Sequence, residues 1–207
     1  MSVKLITSTP NAEEVIGYCA RVSNPSNQNN PNISGLLAYC IKHGHWSVFE
    51  TASLTLEIET SRAIAAQILR HKSFCFQEFS MRYSEATDYI PSEARAQDNK
   101  NRQNSTDTLP EEEKAWFTAT QAKLWNEAYT AYKEAISKGI AKECARALLP
   151  LSTKTRLYMT GNIRSWIHYI QLRSANGTQK EHQDIALQAK EIFKQQYPII
   201  SEALGWT

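Results

Sequence analysis

The stretch of the chain richest in groups that could do chemistry is RHKSFCFQEFSMRYS, residues 70–84. Its polar side chains suited to ligand binding are, in order, Arg70, His71, Lys72, Gln77, Glu78, Ser80 and Arg82. Guanidinium groups bind phosphates through paired hydrogen bonds, and a hydroxyl group adds another. Amide and acid side chains can hydrogen-bond the edge of a heterocycle. The stretch therefore predicts a site for an anion with planar parts, and a nucleotide meets both demands.

Apolar side chains alternate with these polar groups. They are Phe74, Phe76, Phe79 and Tyr83. Such residues should draw the segment toward the core, where charges need partners. A solvated charge run beside a strand is the alternative on composition alone. The partial alternation predicts an extended segment, in which Ser80 and Arg82 point to the same side.

A helix is predicted immediately before this segment. Residues 61–71 have helical periodicity, and Ser61 stands at the position of an N-terminal cap. The spacing places Gln67, Arg70 and His71 on one face near the end of that helix. The elements on both sides of position 72 thus bring their polar groups to one region.

A second polar cluster occurs in NIRSWIHYIQLRS, residues 162–174, which also reads as a helix. Its apolar stripe consists of Ile163, Trp166, Ile167 and Ile170. Asn162 and Arg173 fall at nearly the same angular position, while Arg164 and His168 share another face. This pattern favours a helix wedged between two ligands or two subunits, with a plain surface helix as the alternative. Upstream, His45 in HGHWSVFE could contact a ligand or could be structural.

Bulk composition limits the class of protein. The chain has 207 residues, with 42% hydrophobic and 21% charged, which suits one compact domain over residues 1–207. A formal charge of +2 is too balanced for a general nucleic-acid binder. No apolar run is long enough to span a membrane, and the first residues lack the apolar core of a signal peptide, so we expect a cytoplasmic protein.

The cysteines predict neither a metal site nor a redox pair. Cys19, Cys40, Cys75 and Cys144 form no CxxC pair, and each has apolar neighbours. We therefore expect four buried thiols.

The order of predicted elements indicates an α+β fold. Strands are predicted at VKLIT, at the cleanly alternating TASLTLEIET and at RLYMTGN; helices follow the first two strands and dominate the second half of the chain. Asn11 is the predicted cap of the first helix, and Gly44 the stop of the second. We expect a mostly antiparallel sheet flanked by helices.

The middle of the chain combines a polar excursion with a long helix. Residues 86–109 read as a surface loop, a length that is usually functional or mobile. The helix that follows starts at Pro110, and its expected packed face is Trp116, Ala119, Leu124, Ala128, Ala131 and Ala135.

Four ordered blocks of the chain resemble the flavin-dependent thymidylate synthases. They are GHWSVFE; RHK followed after seven residues by Ser80 and then MRYS; CARALLPL; and NIRSWIHYIQLR. A motif of three fixed residues is weak, but four blocks in order over nearly the whole chain are specific. The chain has no Pro-Cys pair, which agrees with the flavin-dependent type rather than the thymidylate synthase that uses a cysteine nucleophile.

The resemblance implies conversion of dUMP to dTMP in a homotetramer whose sites are shared between subunits. It implies FAD as a tightly bound cofactor, with NADPH and methylenetetrahydrofolate as co-substrates. Another flavin-dependent transfer to a pyrimidine nucleotide, such as hydroxymethylation, and a non-catalytic nucleotide- or RNA-binding protein are the alternatives.

The resemblance also assigns roles by position. Arg173 matches the residue that polarises the pyrimidine and is the implied catalytic residue. The implied dUMP contacts are Gln67, Arg70, Glu78, Phe79, Ser80, Met81, Arg82, Arg146 and Arg173. The implied FAD contacts are His45, Ser47, Arg70, His71, Lys72, Glu78, Asn162, Arg164 and His168. The chain departs from the commonest pattern at Lys72 (usually Arg), Thr51 (often His) and His168 (often Asn).

Overall fold

A four-stranded antiparallel sheet organises the fold in a computed structural model that describes residues 1–206. The strand order is β1-β2-β6-β3, and every neighbouring pair is antiparallel. The strands are β1 Ser2–Ser8, β2 Ser53–Ser61, β3 Cys75–Glu78 and β6 Lys154–Asn162; a separate two-stranded ribbon pairs β4 Ala96–Gln97 with β5 Ser105–Thr106. The predicted α+β fold with a mostly antiparallel sheet is confirmed.

Helices supply the rest of the structure. They are α1 Ala12–Ala20, α2 Ser34–Lys42, α3 Arg62–Ile68, α4 Glu111–Ser137, α5 Lys142–Ala145, α6 Ile163–Arg173, α7 Lys180–Gln196 and α8 Pro198–Ala203, with 3₁₀ turns at Pro25–Asn27, Trp46–Glu50 and Arg146–Leu148. None of the helices within residues 1–206 is long and apolar enough to cross a membrane.

The alternation in β2 decides which face of the sheet carries the core. Leu54, Leu56 and Ile58 are fully buried, whereas Glu57 and Glu59 lie half-buried on the opposite face. The buried face packs against most of the helices, including α6, whose Trp166 donates from Nε1 to the Leu54 carbonyl oxygen at 2.9 Å. The core therefore fixes the position of α6, the helix predicted to carry ligand-binding groups.

Close packing also fixes the start of β3 against α6. Phe74 lies edge-on to Trp166, with ring centroids 4.9 Å apart. A Cβ atom at Gly161 would meet the Phe74 ring at 2.5 Å, so only glycine permits this approach. Gly161 is the penultimate residue of β6, and α6 begins two residues later. The segment before β3 is thus held directly against the β6–α6 junction.

Several local predictions need correction. Asn11 occupies the cap position of α1 but makes no side-chain capping bond; it adopts the left-handed conformation instead (φ 49°). The helix predicted for 61–71 ends at Ile68. A turn follows it, and Arg70 and His71 therefore lie beyond the helix. Ser61 does cap that helix, accepting from the Ile64 amide at 3.4 Å.

The predicted extended segment also ends early. After β3 the chain turns, and the amide N–H of Tyr83 donates to the Ser80 carbonyl oxygen at 3.1 Å. Ser80 and Arg82 therefore do not share a strand face. Phe74 is buried as expected, but Tyr83 is 85% exposed, so the predicted burial of Tyr83 is wrong.

The predicted packed face of α4 is mostly wrong. Trp116 and Leu124 are exposed, and of the expected face only Ala135 is buried. Trp125 and Tyr132 are the large buried side chains, and Trp125 stacks on Tyr89 from the excursion 86–109 at 5.1 Å between ring centroids. The excursion itself is largely irregular, apart from the β4–β5 ribbon.

The expectation of four buried thiols is also wrong. Cys40 is buried and Cys19 half-buried, whereas Cys75 and Cys144 are exposed. Apolar sequence neighbours did not ensure burial, because Cys75 lies on a sheet-edge strand and Cys144 in a short surface helix.

Candidate active site

Three large clefts lie along the segment 70–82, and Phe79 lines a smaller fourth one of about 150 Å³. Ser73 lines the first, Ser80 and Arg82 the second, and Glu78 and Met81 the third. One short segment thus contributes to three openings, with volumes of about 650, 500 and 560 Å³ respectively. Ligand sites commonly occupy about 300–1,000 Å³.

The first cleft is built at the β6–α6 junction. Asn162, Arg164 and His168 line it, together with Trp46 and Glu50 from the preceding 3₁₀ turn. Asn162 caps α6 by accepting from the Ser165 amide at 2.8 Å, which explains why this residue stands where the strand becomes a helix. Helical spacing placed Asn162 and Arg173 at nearly the same angular position of the helix. In the structure, Asn162 instead lines one cleft together with Arg164 and His168.

An ion pair holds Arg164 at the mouth of this cleft. Its Nη1 atom donates to Oε1 of Glu50, and both side chains are about half exposed. A guanidinium has five N–H donors, so most remain for a ligand. Ser47 lies exposed in the same 3₁₀ turn, and the exposed His45 immediately precedes it, its ring 5.7 Å from that of Tyr39.

The second cleft combines both charge signs. Arg82 pairs with Glu143 at 3.0 Å between Nε and Oε2, and Lys142 also lines the opening. The amide N–H of Arg82 donates to Oγ of Ser80 at 3.3 Å. The exposed Ser80 hydroxyl and the exposed Arg82 guanidinium thus line the same opening, which suits an anionic ligand.

Glu78 is one of the residues that line the third cleft. Oε1 of this carboxylate accepts from Arg62 and, at 2.9 Å, from the Thr155 hydroxyl. Both bonds end on one of its two oxygens. Arg146 lines the same cleft, and its Nε donates to the Glu143 carbonyl oxygen at 3.2 Å. Glu78 is therefore a positioned, charge-compensated acceptor.

The remaining implied contacts do not line these three clefts. Phe79 is half-buried, and its amide extends the β3–β6 ladder by donating to the Arg156 carbonyl oxygen at 2.8 Å. Arg70 and Lys72 are exposed on the turn that precedes β3. Gln67 is half-buried on α3 and hydrogen-bonds Gln179 at 2.7 Å.

Arg173 is held by His71. The guanidinium Nε of Arg173 donates to His71 Nε2 at 2.9 Å, so that ring nitrogen must carry a lone pair. Burial lowers the pKa of His71 to about 4, with further lowering from Arg173, His168 and Arg70. His71 is therefore neutral near pH 7. It orients Arg173 through Nε and leaves the terminal guanidinium nitrogens for a substrate.

A second neutral histidine, His182, lies fully buried beside this pair, and burial lowers its pKa to about 4 as well. The unfolded chain binds a proton at this position near pH 6.5, whereas the folded chain does not. The free energy of unfolding should therefore fall as pH drops from 6.5 toward 4. His182 contributes a slope approaching about 1.4 kcal/mol per pH unit.

Urea unfolding at several pH values checks this prediction. In His182→Phe the slope should be smaller than in the wild type by about that amount. The exposed His43, changed to phenylalanine in the same way, is the control for losing a histidine as such. Equal slopes in His182→Phe and the wild type would contradict a neutral, buried His182.

The sequence did not single out several residues that shape the clefts. They are Arg62, Trp46, Glu50, Ser73, Gln171, Lys142 and Glu143. Arg62 is separated from its partner Glu78 by 16 positions, and Arg164 from Glu50 by 114. The one available signal was Glu50 within the block GHWSVFE, which the resemblance covers.

Comparisons with known proteins identify the family of this chain. The family model described as thymidylate synthase complementing protein matches residues 4–199. A Synechocystis protein named flavin-dependent thymidylate synthase is 59% identical over 194 residues, covering 94% of this chain and 90% of its own length. A Paramecium bursaria Chlorella virus 1 protein, named "Probable flavin-dependent thymidylate synthase", is 57% identical, with both chains fully covered.

A solved structure shares the fold. The UMP/dUMP methylase PolB from Streptomyces cacaoi, bound with 5-Br dUMP, gives a TM-score of 0.88 at 25% identity, over 99% of this chain and 94% of that chain. From the family match over most of its length and from these relatives, the chain belongs to the flavin-dependent thymidylate synthases.

Proposed function

We propose that this chain, as one domain, reductively methylates dUMP to dTMP, with methylenetetrahydrofolate as the carbon donor and FAD, reduced by NADPH, as the hydride carrier. The observation that carries the proposal is the segment 70–82, whose residues line all three clefts. A reaction between a bound mononucleotide and a bound dinucleotide needs both held side by side. Such fixation contributes through proximity and orientation.

The first cleft suits FAD. Its volume of about 650 Å³, the cationic Arg164, the polar Asn162 and His168, and the flat Trp46 ring match a ligand with phosphates and a planar ring system. Ser47, His45, His71, Lys72, Arg70 and Glu78 complete the proposed set of FAD contacts. When bound in its reduced form, FAD would supply the hydride that the methylation requires.

The dUMP contacts are proposed along the second and third clefts. Ser80 and Arg82 would bind the phosphate, with Arg70, Gln67, Phe79 and Met81 around the nucleotide and Glu78 as an acceptor. Arg173, oriented by its bond to His71, would stabilise negative charge on the pyrimidine. Arg146, which lines the third cleft together with Glu78, would complete the site.

Ser80 is proposed as a binding residue rather than a nucleophile. A serine nucleophile needs a base. The nearest carboxylate in sequence, Glu78, is engaged with Arg62 and Thr155, and the Ser80 hydroxyl accepts from the Arg82 amide. Ser80→Ala should therefore raise the dUMP KM while turnover stays measurable, since one hydrogen bond contributes about 0.5–1.5 kcal/mol.

Steady-state kinetics of Ser80→Ala at saturating FAD and NADPH checks this expectation. Ser84→Ala is the matched control, since Ser84 is close in sequence but does not line the second cleft. Removal of a true nucleophile costs on the order of a million-fold in turnover. Abolished dTMP formation in a folded Ser80→Ala variant that still binds FAD and dUMP would overturn the binding role.

The active unit is proposed to be a homotetramer. Trp116 and Leu124 expose large apolar surfaces on α4 at 63% and 56%, and the openings along segment 70–82 are broad. Exposed apolar surface of this kind favours burial between subunits. Light scattering of the active protein should give four chains; an active monomer would contradict the proposal.

The visible spectrum of the purified protein tests the cofactor part of the proposal. A yellow protein with a flavin spectrum, or one that acquires it on addition of FAD, is expected. A colourless protein that does not bind added FAD would favour the alternative of a non-catalytic nucleotide-binding protein.

A further inference from the structure

A row of hydrogen bonds joins α6, α3 and the start of α7, and it runs from the buried Tyr169 to the exposed Gln179 and on to Glu181. His182 Nε2 lies 3.2 Å from the Tyr169 hydroxyl, and His182 Nδ1 lies 3.4 Å from Oε1 of Gln67. Gln67 Nε2 donates to Oε1 of Gln179 at 2.7 Å, and Gln179 Nε2 donates to Oε2 of Glu181 at 2.9 Å. Tyr169 and His182 are fully buried, whereas Gln179 is exposed immediately before α7.

An ion pair closes the far end of the row. Glu181 is buried, and its Oε1 accepts from Arg95 Nη2 at 2.6 Å. Burial raises the pKa of the Glu181 carboxyl, but hydrogen bonds from Arg95, its own backbone and Gln179 outweigh this effect and lower the pKa overall. Glu181 is therefore ionised and can only accept.

The ionised state of Glu181 sets the donor and the acceptor of every hydrogen bond in the row. Because Glu181 accepts, Gln179 must present its NH₂ group there and its carbonyl oxygen to Gln67. Gln67 must then donate to Gln179 and turn its own carbonyl oxygen toward His182. Nδ1 of the neutral His182 must donate to that oxygen, which leaves Nε2 as the acceptor for the Tyr169 hydroxyl.

We propose that Glu181, Gln179 and His182 are positioning residues that fix the amide orientation of Gln67, and so determine which donor and which acceptor Gln67 presents to the pyrimidine nucleotide. The inference rests on the proposed function where it names dUMP as the ligand of Gln67. None of the three touches the clefts along segment 70–82. Their effect passes through the Gln67 amide, a group that could otherwise flip by half a turn.

Arg95 connects the row of hydrogen bonds to the polar excursion 86–109. It lies in that excursion, its side chain is only 11% exposed, and it also hydrogen-bonds the Ser105 hydroxyl at 3.0 Å. Loss of the excursion's position would therefore remove the partner that holds Glu181 ionised. The Arg95–Glu181 ion pair therefore holds the excursion in place and also sets the direction of the hydrogen bonds in the row.

The ring-nitrogen NMR signals of His182 in the FAD-loaded protein test the row without any substrate. The wild type should show the neutral Nδ1–H tautomer alone. Gln179→Ala removes an exposed link, so the fold should persist while Gln67 becomes free to flip, and the Nε2–H tautomer should appear. Glu93→Gln, at the exposed second carboxylate paired with Arg95, is the control and should retain the wild-type tautomer.

Calorimetric dUMP titrations test the link to the ligand. Gln179→Ala should weaken dUMP binding about 3- to 10-fold, the effect of one hydrogen bond. In a Gln67→Ala background the same change should have no further effect. An Nε2–H or protonated His182 in the wild type would overturn the row. Unchanged dUMP affinity in Gln179→Ala, or an equal loss in both backgrounds, would overturn positioning through Gln67.

A wild-type protein that binds no dUMP would instead contradict the proposed function and remove the nucleotide from this inference. The tautomer measurement would still decide whether the row is polarised as described.

Discussion

Arg173→Ala should reduce dTMP formation about 100- to 1000-fold, the typical cost of removing one preorganised donor aimed at developing charge. The side chain is fixed by its Nε bond to the neutral His71, so its terminal nitrogens need no reorganisation during the reaction. Binding of FAD should change much less, because Arg173 is not among the residues that line the first cleft. Turnover at saturating substrates, measured beside FAD titrations, checks both statements.

Arg156→Ala provides the control for this variant. Arg156 is an exposed arginine on β6, 3.7 Å from Glu57 and 3.6 Å from Glu59, and it does not line the three clefts along segment 70–82. Its removal should leave turnover near the wild-type value. Near-normal turnover in Arg173→Ala would refute the role assigned to Arg173.

Arg164→Ala should weaken FAD binding about 10- to 150-fold. A hydrogen bond to a charged group contributes about 1.5–3 kcal/mol, and tenfold in affinity corresponds to about 1.4 kcal/mol. Arg164 lines the first cleft and is the one arginine among the residues that surround it. Titration of the FAD-free variant with FAD, followed by flavin fluorescence, measures the change.

Glu50→Gln distinguishes a cofactor contact from a structural ion pair. This variant removes the partner of Arg164 but keeps the guanidinium, so FAD binding should be retained. Equal losses in Arg164→Ala and Glu50→Gln would mean that the pair itself shapes the cleft. An unchanged FAD affinity in Arg164→Ala would contradict the placement of the cofactor.

Sequence reasoning succeeded where one local pattern decides the structure. The alternation of residues 52–59 predicted a half-buried antiparallel strand, and β2 is such a strand. Alternate residues of a strand point to opposite faces, so the pattern of apolar residues alone indicates which face is buried. Ser61 caps α3 with its own side chain, and Gly44 ends α2 with its own left-handed backbone, so the start of α3 and the end of α2 were predictable.

Sequence reasoning failed where tertiary contacts decide. Alanines occur on several faces of α4, so its packed face could not be phased from periodicity. Stacking of Tyr89 on Trp125 selects that face, and Tyr89 comes from an excursion with no regular pattern.

The site, like the fold, could be predicted only in part from the sequence. Its residue types could be named from the four blocks, but the partners of those residues could not. Glu78 is neutralised by Arg62, and Arg173 is oriented by His71 across 102 positions. Such pairs depend on how β3, α3 and α6 meet in space. The role of each named residue in ligand binding is still a prediction.

Mass analysis of the nucleotide product tests the central claim most directly. The purified protein, supplied with FAD, NADPH, dUMP and methylenetetrahydrofolate labelled in its methylene carbon, should form dTMP that carries the label in its methyl group. Protein from which FAD has been removed should form no dTMP unless FAD is added to the assay. A hydroxymethylated nucleotide, or unchanged dUMP with the FAD-loaded protein, would contradict the account.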